Sequence, residues 1–140
     1  MLRWLLVIVA LILLTGCGNG MVRVQGEVLL DDKPLPGANI LLMPKSGGRP
    51  ASAKSDASGK FQLTTLRPGD GILPGDYLVS VTAIDEKNLR YEPNGRAEGG
   101  FAEQHRRLAP ERYGDIKTSG LTATISATDP RLSLRLVSTP

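Results

Sequence analysis

Residues 77–83 read Tyr-Leu-Val-Ser-Val-Thr-Ala, and this stretch decides the fold class of the chain. Every second side chain from Tyr77 to Ala83 is apolar, and an extended backbone places such side chains together on one face. Turn-forming residues, Pro74-Gly75-Asp76, stand directly before the stretch. The pattern predicts a strand that buries one face in the core of a β-sheet protein.

Similar short apolar or alternating stretches occur along the rest of the chain. They cover residues 22–30, 38–43, 51–55, 60–64, 121–126 and 132–136. The intervening segments are rich in Gly and Pro, of which the sequence has 16 and 10, and these residues favour turns. Seven short strands with frequent turns and almost no helical periodicity predict an all-β fold. We expect a seven-stranded antiparallel β-sandwich over residues 22–140.

Two of the predicted connections are hairpins. In the first, residues 56–59 (Asp-Ala-Ser-Gly) join the strands at 51–55 and 60–64. The Asp56 carboxylate can cap this turn, and Gly59 can adopt the positive φ that closes it. In the second hairpin, residues 128–130 (Thr-Asp-Pro) join the last two strands.

Residues 86–120 interrupt the strand pattern with a long, polar, charge-rich loop. The loop contains the aromatic and titratable side chains Tyr91, Phe101, His105 and Tyr113. Its residues 101–108 could form two helical turns that stop before Pro110. Loops of this length are usually functional or disordered, so the segment is a candidate contact for a protein partner.

The first 16 residues have the composition of a targeting segment. One positive charge, Arg3, precedes an unbroken apolar run from Trp4 to Leu14, as in the n- and h-regions of a secretory signal. The run is much shorter than the roughly 20 residues that a membrane-spanning helix needs. We therefore expect residues 1–16 to be a signal-peptide helix and not part of the folded domain.

The signal segment ends in Leu14-Thr15-Gly16-Cys17, which resembles the lipobox of bacterial lipoproteins. The resemblance implies that Cys17 is alkylated with a diacylglycerol, becomes the first residue of the mature chain, and anchors it to the membrane. Residues 17–21 then form the lipidated cysteine and a short tether. Gly18 stands where an Asp would retain such a protein in the inner membrane, which favours the outer membrane of the cell envelope. The alternative is a free or buried cysteine behind an ordinary signal peptide.

The domain itself carries two further resemblances. The segments V-x-G-E-V (24–28), D-K-P-L-P-G-A (32–38), S-D-A-S-G-K-F (55–61) and P-G-D-Y-L-V-S-V (74–81) resemble the carboxypeptidase regulatory-like domain. That family implies a transthyretin-like, seven-stranded Greek-key sandwich. The chain is also similar to a group of small bacterial predicted lipoproteins of undetermined function. The matching motifs are P-G-D-G-I-L-P-G-D-Y (68–77), P-E-R-Y (110–113) and T-S-G-L-T (118–122).

Composition argues against several classes of function. The single cysteine excludes an intrachain disulfide, and one histidine without an H-x-x-E arrangement does not supply the ligands of catalytic zinc. Basic residues are interleaved with acidic ones and the net charge is only +3, which argues against a nucleic-acid partner. No nucleophile is paired with a base, so we expect a non-catalytic module without cofactor or metal. His105 is expected to be a solvated surface residue.

The remaining possibilities are binding or structural roles in the envelope. A protein-binding or purely structural module is favoured over two alternatives. One alternative is a calcium site built from Asp56, Asp70 and Asp76, each of which stands in a Gly-containing turn. The other is carbohydrate binding through the aromatic residues of the long loop, namely Tyr91, Phe101 and Tyr113.

Overall fold

The computed structural model describes residues 20–85 and 106–139, which form eight strands and one 3-10 helix. The strands are β1 (Gln25–Leu30), β2 (Lys33–Pro34), β3 (Asn39–Pro44), β4 (Ala51–Lys54), β5 (Lys60–Gln62), β6 (Gly75–Thr82), β7 (Leu121–Ile125) and β8 (Arg131–Leu136). The 3-10 helix covers Glu111–Gly114 and lies between β6 and β7. The described chain contains no α-helix, so the predicted all-β class is confirmed.

The strands form two four-stranded sheets. In one sheet the order is β4-β3-β6-β7, and every pair is antiparallel. In the other, β1 pairs with β2 and β5 in antiparallel orientation and with β8 in parallel orientation. The parallel register runs from Gln25 opposite Arg131 to Leu30 opposite Leu136.

The core consists of the inward faces of both sheets. Tyr77, Val79, Val81 and Ala83 are all buried, as the alternation in residues 77–83 predicts. Other side chains with almost no exposed surface come from strands and loops of both sheets: Val24, Val28, Ile40, Leu42, Leu63, Ile72 and Leu136. Burial of each such side chain stabilises the fold by roughly 1.5–3 kcal/mol. The two sheets therefore pack face to face as a β-sandwich.

The first predicted hairpin is confirmed only in part. The Asp56 N–H donates to the Lys60 carbonyl, and Ser52 exchanges two backbone hydrogen bonds with Thr64, of 2.8 and 2.9 Å. The named strands, however, pair elsewhere, β4 with β3 and β5 with β1, so the chain passes from one sheet to the other at this turn. The second predicted hairpin is wrong, because β7 pairs with β6 whereas β8 lies parallel to β1 in the opposite sheet. The sandwich is antiparallel-rich and not purely antiparallel, because its last strand crosses over to lie beside its first.

The extra strand, β2, lies in the Pro-containing segment between the predicted strands at 22–30 and 38–43. Asp31 and Asp32 adopt positive φ values of 50° and 62°, and Leu30 pairs with Lys33 across them. Two successive residues at positive φ form the tight turn that matches the twist of a hairpin. The chain therefore reverses within two residues and adds a short strand beside β1.

Only the second part of the predicted long loop lies among the described residues. The helix predicted at 101–108 is wrong where it can be compared, because Arg107 forms an antiparallel bridge with Ile84. Residues 86–105 lie outside the described residues. Downstream, Ala109 and Tyr113 are buried against the sandwich, so this part of the loop packs on the domain.

The strand pairings define two ends of the sandwich. At the proximal end, residues 20–24 lead into β1, and the loops 45–50, 63–74 and 126–130 meet them. At the distal end lie the turns 31–38 and 55–59 and the segments that flank 86–105. Asp85 and Arg106 meet there through a hydrogen bond of 3.0 Å from the Asp85 N–H to the Arg106 carbonyl.

Candidate functional site

Cys17, the predicted site of lipidation, lies outside the described residues, but the chain that follows it becomes fixed almost at once. Val22 exchanges two backbone hydrogen bonds with Ile72, of 2.8 and 3.0 Å. A side chain on Gly71 would overlap the carbonyl oxygen of Val22, so the two segments pack at backbone contact. The proximal end is therefore joined to the predicted anchor by a chain of very few residues.

A groove with a volume of about 270 Å³ opens at the proximal end. Its lining includes Met21, Arg49, Leu66, Leu73 and Tyr77. The Tyr77 hydroxyl donates a 2.7 Å hydrogen bond to the Leu73 carbonyl, and burial raises the pKa of Tyr77. Tyr77 thus forms the floor of the groove as a neutral phenol.

Two leucines at the rim of this groove are strongly exposed. Leu66 exposes 58% of its surface and Leu73 exposes 54%. Gly20 lies directly beside Leu73, because a methyl group on Gly20 would be 3.8 Å from the Leu73 Cδ2 atom. The first described residue therefore contacts the exposed apolar rim.

The loop that carries Leu66 is held by the Asp70 carboxylate. This carboxylate accepts backbone N–H hydrogen bonds from Thr65 at 2.8 Å and from Leu66 and Arg67 at 2.9 Å each. The N–H of Thr65 is the largest influence among these donors, and together they hold the pKa of Asp70 below its ordinary value. Asp70 therefore fixes the turn and presents Leu66 outward.

One cation, Arg49, lines the groove, and two more, Lys45 and Arg67, are next in sequence to residues that line it. Lys45, Arg49 and Arg67 are exposed, and within the described ranges none of them forms a salt bridge. The nearby acids have other partners: Asp70 binds backbone N–H groups, and Asp76 accepts a 2.6 Å hydrogen bond from the Thr124 hydroxyl. The rim thus combines exposed apolar side chains with unpaired positive charge.

The structure does not bring the three candidate calcium ligands together. Asp56 lies in the β4–β5 turn at the distal end, whereas Asp70 and Asp76 lie at the proximal end. Asp56 instead caps its turn, accepting N–H bonds from Ser58 at 2.8 Å and from Lys60 at 2.9 Å. Gly59 has the predicted positive φ, 74°. Across residues 20–85 and 106–139 no three His, Cys, Asp or Glu side chains cluster as a metal site.

The distal end contains a cluster of polar contacts that ties the loop to the C-terminal segment. The Tyr113 hydroxyl accepts a 3.1 Å hydrogen bond from the Val137 N–H. The Arg112 guanidinium donates to the Val137 and Thr139 carbonyls at 2.6 and 2.8 Å. Burial acts to raise the pKa of Tyr113, but the Val137 and Arg112 contacts outweigh it, so this pKa lies below its ordinary value.

The burial of Tyr113 bears on the carbohydrate alternative. The side chain is only 6% exposed, so its ring cannot stack on a sugar. The other two candidate aromatics, Tyr91 and Phe101, lie outside the described residues, as does His105. The structure therefore excludes Tyr113 as one of the three residues proposed to stack on a sugar ring.

Sequence reasoning missed the exposed leucines of the proximal groove. Both stand in the turn-rich run from Leu66 to Pro74, outside any alternating strand. The signal that could have identified them is a large apolar residue that stands in a turn and not in an alternating strand pattern.

Comparison with protein-family models, with curated protein sequences and with solved structures yields no match for the chain. Among the described residues, no helix has the length and apolar character needed to cross a bilayer.

Proposed function

We propose that this chain is a bacterial lipoprotein, whose β-sandwich is a non-catalytic module held at a membrane of the cell envelope by lipid on Cys17. The observation that carries the proposal is the sequence Leu14-Thr15-Gly16-Cys17 at the end of the apolar run of residues 4–14. Small residues before the cysteine give a modifying enzyme access to the thiol at the membrane surface. Two or more acyl chains make such attachment stable, whereas one chain binds only marginally.

The way the domain begins supports this proposal. Val22 is already paired with Ile72, so the folded part starts five residues after Cys17 in the sequence. A segment that is removed at Cys17 leaves the whole described sandwich intact. The proposed cleavage therefore costs the domain no strand or core residue.

A non-catalytic role is supported by the use of the buried hydroxyl groups. Ser55 accepts a hydrogen bond from the Ala38 N–H at 2.8 Å and donates one to the Leu35 carbonyl at 2.6 Å. Ser119 donates to the Val79 carbonyl. These hydroxyls satisfy backbone groups of the core, so they act in the fold and not as nucleophiles.

Partner binding is assigned to the segment from Glu86 to Gly120. Asp85, which precedes the segment, and Arg106, which lies within it, meet at the distal end, and the proposed anchor lies at the proximal end. An anchored sandwich therefore holds the two residues that border 86–105 away from its membrane attachment. A protein partner in the envelope is the occupant that we propose, and Gly18 favours the outer membrane.

The anchor is tested by intact-mass analysis of protein purified from bacterial membranes. The wild type is expected to begin at Cys17 and to carry the mass of a diacylglycerol. Cys17→Ser is expected to lose this mass, and the neighbouring control Asn19→Ser is expected to keep it. A membrane-purified wild type without lipid would contradict the proposal.

The partner segment is tested by replacing residues 86–105 with a short Asn-Gly turn. The replacement is feasible because Ile84 and Arg107 already pair across the gap and Asn-Gly suits a tight hairpin turn. We expect the variant to fold and to lose the envelope protein that cross-links to the wild type. Retention of the same cross-linked protein would contradict the assignment.

A further inference from the structure

We propose that the proximal end of the sandwich is a docking surface for an anionic lipid bilayer, with Leu66 and Leu73 entering the interface and Lys45, Arg49 and Arg67 facing the headgroups. The proposal rests on the proposed lipid anchor at Cys17. It adds that the domain lies directly on the membrane in one orientation and does not move freely at the end of a tether.

The length of chain between anchor and domain limits their separation. Cys17 and Gly20 are three residues apart, and three extended residues span at most about 11 Å. Gly20 lies beside Leu73, since a methyl group built on Gly20 would be 3.8 Å from the Leu73 Cδ2 atom. The leucine rim is therefore held close to the headgroup layer whenever Cys17 carries lipid.

The exposed apolar residues are distributed in a way that suits this contact. Leu66 and Leu73 are the two most exposed large hydrophobic side chains among the described residues, and both lie at the proximal end. Tyr77 and Met21 line the same groove, so the apolar surface continues inward from the rim. An apolar rim at the end nearest the lipid gains burial when it enters the interface.

The charges at this end favour anionic lipid over a neutral surface. Lys45, Arg49 and Arg67 are exposed and have no salt bridge within the described ranges. Asp70 and Asp76 keep their negative charge while they accept hydrogen bonds from the domain, but the three cations outnumber these two carboxylates. Long basic side chains can reach headgroups while neighbouring leucines insert.

The surface is also ordered before it meets the membrane. The Asp70 carboxylate holds three consecutive N–H groups of the loop that carries Leu66. The Tyr77 hydroxyl holds the Leu73 carbonyl. Docking therefore requires no reorganisation of either backbone segment, which lowers the entropic cost of binding.

The test uses the lipidated protein from membranes, reconstituted into vesicles. The only tryptophan of the chain is Trp4, which the proposed cleavage removes, so a new tryptophan reports on one position. Leu73→Trp is compared with Val137→Trp, a site at the distal end that is 52% exposed. Leu66→Trp is a second reporter in case the first variant folds poorly. Vesicles contain phosphatidylcholine alone or with phosphatidylglycerol, and brominated lipid serves as the quencher.

We expect brominated lipid to quench Leu73→Trp strongly in vesicles with phosphatidylglycerol and to leave Val137→Trp unquenched. Adding Arg49→Glu and Arg67→Glu to the reporter is expected to lower the ratio of docked to undocked protein by roughly fivefold per arginine removed. Equal quenching of the proximal and distal reporters would overturn the docking surface. An unchanged ratio after charge reversal would overturn the role of the cations.

Two further outcomes have separate meanings. Intact mass is measured on the same sample: lipid on Cys17 without quenching overturns the docking surface alone, whereas absence of lipid overturns the anchor and the docking that depends on it. If Leu73→Trp is shielded in native membranes but not in lipid vesicles, the surface binds a protein, and the proposal of a lipid occupant is wrong.

Discussion

Replacement of Ser55 by alanine tests how the two sheets are connected. The Ser55 hydroxyl follows β4 and binds two backbone groups of the segment before β3, the Leu35 carbonyl and the Ala38 N–H. Ser55, Leu35 and Ala38 are all buried. Alanine removes the hydroxyl and leaves both backbone groups without a partner where water cannot replace it.

The magnitude follows from the two groups that lose their bonds. A buried donor or acceptor left unsatisfied costs roughly 1–3 kcal/mol, so with two such groups we expect Ser55→Ala to lower the free energy of unfolding by about 2–6 kcal/mol. This is a large part of the roughly 5–15 kcal/mol that stabilises an ordinary domain. The measurement is urea unfolding followed by far-ultraviolet circular dichroism.

Ser52→Ala is the matched control. Ser52 lies on β4 and is exposed, and surface substitutions of this kind usually change stability by less than about 0.5 kcal/mol. The dependence of the unfolding free energy on urea should be the same for both variants and the wild type. Equal losses of stability in Ser55→Ala and Ser52→Ala would refute the reasoning.

Three further predictions concern the loops. Gly71→Ala should lower the free energy of unfolding by about 3 kcal/mol or more, because the new methyl group meets a backbone carbonyl at a positive φ. Gly37→Ala, also at positive φ but in open space, should cost only about 1–2 kcal/mol, and thermal unfolding distinguishes the two. The lowered pKa of Asp70 means that its carboxylate stabilises the fold above the unfolded pKa of about 4 and that this contribution is lost as pH falls through the lower folded pKa. Asp70→Asn should therefore weaken the dependence of the urea midpoint on pH in the acid range; an identical dependence would speak against the N–H contacts. Tyr113→Phe removes the acceptor of the Val137 N–H and should cost about 1 kcal/mol in urea unfolding, whereas a neutral result would mean that this contact contributes nothing to stability.

Local patterns in the sequence predicted local structure well. The alternation from Tyr77 to Ala83 identified a strand and its buried face, because successive side chains of an extended chain point to opposite faces of the sheet. The turn at 56–59 was also predicted in detail, because Asp and Gly favour such turns whatever the rest of the fold is: the Asp56 carboxylate bonds nearby N–H groups, and Gly59 adopts positive φ without strain. These features depend on neighbours only a few residues away.

Sheet membership was not predictable in the same way. A turn signal such as Thr128-Asp129-Pro130 shows that the chain changes direction, but it does not say whether the next strand stays in the same sheet. That choice depends on the packing of β8 against β1, at the other end of the chain. The first hairpin prediction therefore holds only in part and the second fails for the same reason, the long-range character of strand pairing.

The candidate surface could be predicted only in part. The proposed anchor at Cys17 rests on a short contiguous motif, which is visible in the sequence alone. The groove beside it joins Met21, Arg49 and Leu73, which are far apart in sequence and meet only through the fold. Likewise the contacts of Arg112 with the C-terminal carbonyls have no signature in the sequence around Arg112.

The pairing of β1 with β8 also sets the order in which the domain can be completed. Glu27 and Ser133 face each other across this pair although they are 106 positions apart in the chain, so closure of the first sheet carries the entropic cost of a long loop. A chain that crosses the inner membrane from its N-terminus presents β1 first and β8 last. The first strand then has no lasting partner on that side until translocation is nearly finished. The sheet that contains β1 is therefore complete in the proposed exported chain only when the final strand arrives outside.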